Sequence, residues 1–320
     1  MDVMHSALGE LFFIEHPEVS KSAADTSVVE SFIREHTDAG VWVYYPWRDV
    51  AVHTPSDALY HRLRTARNRN LITPTEQERY RAATVGIAGL SVGSAALGAL
   101  VATGGPQHIK IADPDILEIT NLNRIRATLL DVGESKVTIA ARAAWEVDPF
   151  ITLEQWPAGV THDTLQQFMG SPRLDVFVDE MDDIKMKLRS RVVCQELGIP
   201  VVMVTDNGDS IIIDVERFDQ EPGRPIFHGR VHFAEAELEH ITREKFIAMA
   251  NEIIDPKYFT MRQWDSITQI GKTLSGVPQL GTAAVMAGAA VAYVVRRITN
   301  DLPMPSGRYV MGLESAFTPV

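Results

Sequence analysis

Cysteine is almost missing from this 320-residue chain: Cys194 stands alone. A single thiol excludes an internal disulfide framework, and it excludes a zinc site built from paired Cys-x-x-Cys motifs. The opening segment MDVMHSALGE is too polar for a secretory signal. Together these lead to the expectation of a reducing, cytoplasmic setting. A surplus of basic charge is missing too. Lys and Arg total 30 against 42 Asp and Glu, a formal charge of −12. Such a surface repels phosphate backbones, so no nucleic-acid partner is expected, while a local basic pocket for one nucleotide stays open. Long hydrophobic runs are scarce. Val277 to Val295 carries no charge over a length near that of a bilayer core. Its Ala, Gly and Val, opened by Pro278, Gln279 and Thr282, suit a closely packed buried helix, and no membrane association is expected.

What is present is ordinary for a globular protein: 45% hydrophobic and 22% charged residues. The length suffices for one large core and a smaller unit. Residues 1–65 read as a small accessory α/β unit, with a helix over Ser27 to Glu35 and a strand over Val41 to Tyr45 closed by Pro46. Residues 66–81 are polar and rich in arginine. Thr73-Pro74-Thr75-Glu76 in that stretch has the form of a helix start. From 83 onward strands and helices alternate. Strands are expected at 83–88, 108–112, 152–156, 174–178, 200–204 and 210–215. Helices are expected at 94–103, 136–146, 161–169 and 185–197. That alternation predicts an α/β fold with a doubly wound, mainly parallel sheet. The core is expected over 66–230. Residues 231–320 would supply a helical insertion, with the reading of a lid at 231–272, and then a helix and strand returning to the core.

Four local patterns carry chemistry. Gly89-Leu90-Ser91-Val92-Gly93 lies between a strand and a small-residue helix, where backbone N–H groups and the helix dipole receive a phosphate. Asp113 follows twenty positions after Gly93, at the end of the next strand, where an acid binds ribose hydroxyls. The pair indicates a nucleotide without distinguishing ATP from NAD. The same turn also matches Gly-x-Ser-x-Gly, a nucleophile elbow, but the later His228, His232 and His240 fall at no clear strand end. Asn121-Leu122-Asn123-Arg124 and Gly133-Glu134-Ser135-Lys136 come next. They place two cations at the sheet's C-terminal edge, with Asp115, Asn121 and Asn123 as candidate nucleotide contacts beside them. A dehydrogenase has little use for two cations there. Joining a carboxylate to an α-phosphate brings two anions together, and Arg124 and Lys136 would relieve that repulsion. Last, Asp179-Glu180-Met181-Asp182-Asp183 follows a buried strand. It suits either a Mg²⁺ site or an acidic cap on the next helix.

In this order the motifs resemble the ThiF/MoeB/ubiquitin-activating family, over roughly residues 66–215. The family's Asn-Arg pair matches Asn68-Arg69, and its Gly turn matches Gly89 to Gly93. Its ribose-binding Asp matches Asp113, its Asn-Leu-x-Arg matches Asn121 to Arg124, and its Gly-x-x-Lys matches Gly133 to Lys136. Its Mg²⁺-binding Asp falls on Asp182. The resemblance implies a Rossmann-like adenylyltransferase using ATP and Mg²⁺ to activate a carboxylate, either a peptide or small-protein C-terminus or a small acid. It also implies a homodimer. Arg69 would reach the β- and γ-phosphates from the partner subunit, Arg124 and Lys136 would act on the α-phosphate and pyrophosphate, and Asp182 would hold Mg²⁺. Two features depart from the pattern. The turn is one residue shorter than the family's Gly-x-Gly-Gly-x-Gly, and no cysteine is placed for thioester or persulfide transfer. Cys194 sits on what should be a buried helix face. Two other readings remain at this point: an NAD(P)-dependent oxidoreductase, and a nucleotide-binding module without catalysis.

Overall fold

The alternation of strands and helices is present in the computed structural model, which describes every residue except 23, 234–237, 239–240 and 318–320. The chain forms two units, Met1–Glu78 with Asp148–Phe150, and Arg79–Val147 with Ile151–Val320.

In the first unit, α1 (Met4–Glu15) and α2 (Thr26–His36) precede a hairpin of β1 (Gly40–Tyr45) and β2 (Val50–Pro55), and α3 (Asp57–Arg64) follows. Met4, Leu8 and Leu11 recur at helical spacing and bury one face of α1 against Ile33 of α2. Asp25 caps α2 by accepting the Ser27 N–H at 2.8 Å. The first unit runs beyond the boundary expected at residue 65. The arginine-rich stretch folds back on itself, because Asn68 donates to Gln77 at 3.0 Å and its carbonyl accepts the Ile72 N–H at 2.9 Å. Next comes α4 (Pro74–Ala82), which starts as its sequence predicts. The Thr73 N–H donates to Glu76, and the Glu76 N–H donates to the Thr73 hydroxyl, a reciprocal cap.

The second unit runs in chain order through β3 (Thr84–Ala88), α5 (Gly93–Ala102), β4 (His108–Ala112), α6 (Lys136–Val147) and β5 (Thr152–Trp156). It continues through α7 (Leu165–Gly170), β6 (Val176–Asp179), α8 (Ile184–Leu197), β7 (Val201–Asn207) and β8 (Ser210–Glu216). It closes with α9 (Arg243–Ile254), α10 (Met261–Gln269), α11 (Gly281–Thr299), β9 (Gly307–Gly312) and the single turn α12 (Leu313–Ala316). The sheet order is β5-β4-β3-β6-β7-β8-β9. β5 through β7 are parallel, and β8 and β9 add antiparallel. The strands expected at 200–204 and 210–215 are thus the two arms of one hairpin, closed between the paired Asn207 and Ser210.

Strand residues alternate between two buried faces. Val176 and Val178 of β6 join the cluster containing α5, α6 and α11, while Phe177 joins the cluster of α7 and α8. The α7 helix begins later than expected because the Thr164 hydroxyl accepts the Thr161 N–H at 2.9 Å and forms a turn first. The expected insertion at 231–272 contains α9 and α10, while 234–237 and 239–240 lie outside the described residues. The apolar helix α11 is long and apolar enough to cross a membrane by length and composition. In this unit it buries Ala283, Ala287, Val291 and Val295 against the core. Its backbone comes close to α5 at Gly288, where an added Cβ would lie 2.5 Å from the Ala95 carbonyl oxygen. Only glycine lets α11 and α5 meet backbone to backbone.

Candidate functional site

Sheet order fixes where a ligand can enter. β3 has β4 on one side and β6 on the other, so the connections after β3 and β6 leave in opposite directions. A crevice opens outside the carboxyl ends of strands at such a switch point. The residues selected from the sequence for a site in the second unit lie in the loops that leave those ends or at the first position of the helix that follows.

The Gly turn is welded in place by its backbone. Gly89 has φ +90°, and a Cβ there would sit 2.1 Å from the Glu180 carbonyl oxygen. The Gly89 N–H donates to Ala112 O, and the Glu180 N–H donates to Ala88 O, each at 2.8 Å. Asp113 faces this turn. Its buried carboxylate accepts the Leu90 N–H at 2.6 Å and the Asp115 N–H at 2.8 Å. Burial raises its pKa, and the two N–H donors and Lys136 offset part of the rise.

The two cations are held by the loop between β4 and α6. Arg124 donates through Nε to the Ser91 hydroxyl at 2.9 Å and through Nη1 to Asn123 Oδ1 at 3.0 Å. Lys136, the first residue of α6, donates to Asp115 Oδ2 at 2.7 Å and lies 3.8 Å from Asp113 Oδ1. Asn121 is buried, and its Oδ1 accepts the Glu118 N–H at 3.1 Å, which shapes the loop. Asn123 donates to Gln279 O at 2.8 Å.

The acidic run after β6 separates into distinct roles. Asp179 is fully buried and paired with Arg191 and Lys187. Burial raises its pKa, but those two cations more than offset the rise and hold it below the usual carboxylate range. Arg191 also donates to Glu216 at 2.6 Å and stacks over Phe227, so this ion-pair network lies inside the protein. Glu180 accepts the Val204 N–H at 2.9 Å, and burial pushes its carboxyl well above the usual range. Asp183 takes the helix cap, accepting the Lys185 N–H at 2.8 Å. The cap and cation-site readings of the run are therefore divided between neighbours: Asp183 serves the helix, and Asp182 is exposed on a cleft.

That cleft encloses about 590 Å³. Ser91, Asp115, Asn121, Arg124, Lys136 and Asp182 line it together. Gly89, Gly93, Asp113 and Asn123 are not among the lining residues, and Gly89, Asp113 and Asn123 fix the walls by the contacts above. Arg69 belongs to the first unit, exposed just before α4, whereas the cleft is lined by the second. The nucleophile-elbow reading finds no histidine partner at Ser91 among the described residues, and the Ser91 hydroxyl accepts from Arg124. His228 instead takes a hydrogen bond from Arg224 and donates to Asp214 at 2.9 Å, while His240 lies outside the described residues. Cys194 is buried on α8, and burial pushes its thiol well up.

Two lining residues escaped the motif reading. Lys187 reaches Asp179 at 3.3 Å from α8. Asp206, near the end of β7, has both carboxylate oxygens buried without a hydrogen-bond partner among the described residues. Burial raises its pKa to about 6, and Arg124 pulls the other way. Its sequence signal was hidden, since Asp206-Asn207-Gly208-Asp209 reads as a hairpin turn.

Ser91 of the Gly turn, the two cations Arg124 and Lys136, and the exposed Asp182 come together around one switch-point cleft. The ThiF family profile matches residues 65–311. The chain belongs to the ThiF family. Among its relatives is the uncharacterized protein MT1398 of Mycobacterium tuberculosis. It is 36% identical over 280 residues, covering 87% of this chain and 39% of that protein. A sulfur carrier protein adenylyltransferase of Thermus thermophilus is 28% identical over 133 residues, covering 41% of this chain and 48% of that one. The chain therefore spans less than half the length of either curated relative. Among solved structures, the E. coli tRNA N6-threonylcarbamoyladenosine dehydratase TcdA in complex with ATP superposes with a TM-score of 0.54 at 20% identity. It covers 77% of this ThiF-family chain and 97% of TcdA, and the likeness is one of fold.

Proposed function

We propose that this ThiF-family chain uses ATP and Mg²⁺ to activate a carboxylate as an acyl-adenylate. The observation that carries the reading is the cleft wall itself, with Arg124, Lys136 and Asp182 lining one space. In the proposed step a carboxylate oxygen attacks the α-phosphorus of ATP. The bond from that phosphorus to the bridging oxygen breaks, and pyrophosphate leaves with the electron pair. Arg124 and Lys136 reduce the repulsion between the two anions and stabilise charge on the phosphorus oxygens. The residues present fit a divalent cation. Asp182 offers an oxygen open to the cleft, and no group of three or more His, Cys, Asp or Glu among the described residues would hold a metal without phosphate oxygens. Mg²⁺ commonly binds one or two carboxylates together with substrate phosphates, whose charge it neutralises when bound.

The substrate is a peptide or small-protein C-terminus or a small carboxylic acid. With the Cys194 thiol buried, the acyl group passes to a nucleophile outside the chain or stays within the substrate. Arg69 is assigned to the β- and γ-phosphates, supplied by the partner subunit of a homodimer. The name of the T. thermophilus relative and the ATP bound by TcdA support the nucleotide and the reaction class. An NAD(P)-dependent oxidoreductase would leave Arg124, Lys136 and Asp182 without a task. ATP–pyrophosphate exchange, run against a panel of peptides and small acids, tests the proposal. Exchange that depends on one carboxylate supports it. A melting temperature raised by NADH and unmoved by ATP–Mg²⁺ would overturn it.

A further inference from the structure

The adenylation reading uses Arg124, Lys136 and Asp182, and it leaves Asp206 without a task. Asp206 stands on β7, two strands from the Gly turn, and its side chain lines the same cleft. Both of its oxygens are buried, and neither has a hydrogen-bond partner among the described residues. Its neighbour Asn207 also has a buried Oδ1 without a partner among the described residues, but that amide is neutral and its nitrogen is anchored. The Thr205–Ile212 and Asp206–Ile211 pairs continue the hairpin, and Asn207 donates to Tyr258 O at 2.7 Å. Glu180 on the next strand's loop is already bonded to the Val204 N–H. The opposing charge is Arg124, whose Nε and Nη1 are committed to Ser91, Asn123 and Thr120. Asp206 is therefore an acceptor with buried oxygens and no donor among the described residues. Such a group is costly unless a ligand completes it.

Pairing with a ligand donor would require no further desolvation of this carboxylate. Nucleotide phosphates offer no donor and repel Asp206, and the nucleoside's own donors are assigned with the ribose to Asp113 at the end of β4, three strands from β7, which leaves the molecule whose carboxylate is activated as the source. Resting on the adenylation reading, we propose that Asp206 receives an N–H group carried by the carboxylate substrate, which makes it the specificity-determining residue for an amino-acid or peptide acid over a plain organic acid. The N–H is either the amide of a peptide's last residue or the ammonium of a free amino acid. Phe246, Ile253, Ile254 and Val277 also line the cleft and supply apolar surface for the rest of such a substrate.

The test is ATP–pyrophosphate exchange with the full chain and paired probes. One series uses short peptides and the same peptides with the last amide N–H replaced by an ester oxygen. The other uses free amino acids and their des-amino analogues. In the wild type the N–H probe of one series should exceed its partner by about tenfold or more, expressed mainly in KM, and that series identifies the source of the N–H. Asp206→Leu should shrink the ratio to about threefold or less, and Asp206→Asn, which keeps one acceptor oxygen, should restore part of it. The probe comparison in the wild type stands even if a variant fails to fold. Equal exchange with and without the N–H overturns the assignment of Asp206 and leaves adenylation standing. So does an Asp206→Leu variant that keeps the full ratio. An Asp206→Leu variant that loses Mg²⁺–ATP affinity with its ratio unchanged gives the acid to the cation, and this also overturns the proposal. No exchange with any probe overturns both readings together.

Discussion

The two rims of the cleft are built on opposite terms. On the β3–β4 rim nearly every polar group is satisfied within the chain. Asp113 holds the Gly turn, Asp115 holds Lys136, and Ser91 with Asn123 holds Arg124. On the β6–β7 rim Glu180 is held by the Val204 N–H, but the other two acids facing the cleft are left open. Asp182 is exposed, and Asp206 has both carboxylate oxygens buried without a donor among the described residues. A rim of fixed cations is preorganised for a partner that is always the same anion, at no reorganisation cost when charge develops. A rim of open acids suits partners that arrive from outside, which in the proposed function are a cation at Asp182 and a donor at Asp206.

If that contrast is sound, the open acid that serves the metal should show the largest loss. Asp182→Ala is expected to lower carboxylate-dependent pyrophosphate exchange by about a thousandfold, with its melting temperature unchanged. Loss of folding instead would make this acid structural and erase the contrast. On the satisfied rim, Lys136→Met should lower exchange about a hundredfold and also destabilise the chain, because Asp113 and Asp115 lose their shared cation. A variant with lower activity but full stability would show that the rim does not depend on internal pairing.

Asp206 sharpens the comparison through pH. Its folded-state pKa of about 6 exceeds the ordinary 3.8, so the folded chain binds this proton more tightly than the unfolded chain. Stability therefore falls as pH rises from about 4 through about 6. The wild type should lose on the order of 2 kcal/mol more than Asp206→Asn between pH 4 and pH 7.5 in denaturant titrations. Parallel curves for the two proteins would mean that Asp206 is solvated. The smallest effect is reserved for the neighbour of Asp182. Asp183→Ala should cost about 1 kcal/mol of stability through the lost cap of α8 while exchange persists.

Residues that act through local spacing were legible in the sequence. Gly89, Asp113 and Lys136 each sit at a strand end or helix start whose position the hydrophobic pattern marks, and Arg124 lies in the loop between two such ends. Residues that act through distant partners were not. Arg191 joins Asp179 to Glu216 across α8, β6 and β8, and nothing in the local pattern of α8 separates it from a surface arginine. Asp182 and Asp183 are equally good caps in sequence, and only the geometry of the α8 start assigns the cap. Asp206 was masked by the turn chemistry beside it. The early helix α1 lacked a clear signal because its polar face is interrupted by apolar Phe13 and Ile14. Arg69 lies in the first unit, and its role rests on the family resemblance rather than on any local pattern.

The weld at Gly89 has a mechanical consequence. The loop after β3 and the loop after β6 touch main chain to main chain, tied by hydrogen bonds to strands on either side. No side chain stands between them to act as a spacer. Side-chain replacement therefore cannot tune the span from the Gly turn to the acid run, and the two loops can only move as one jaw. Any change in gape, whether to admit a bulkier molecule or to let a product out, has to come from the opposite wall. There α9 and the segment around Val277 meet the cleft through side chains. One jaw is fixed in register with the sheet, and the other is adjustable by composition.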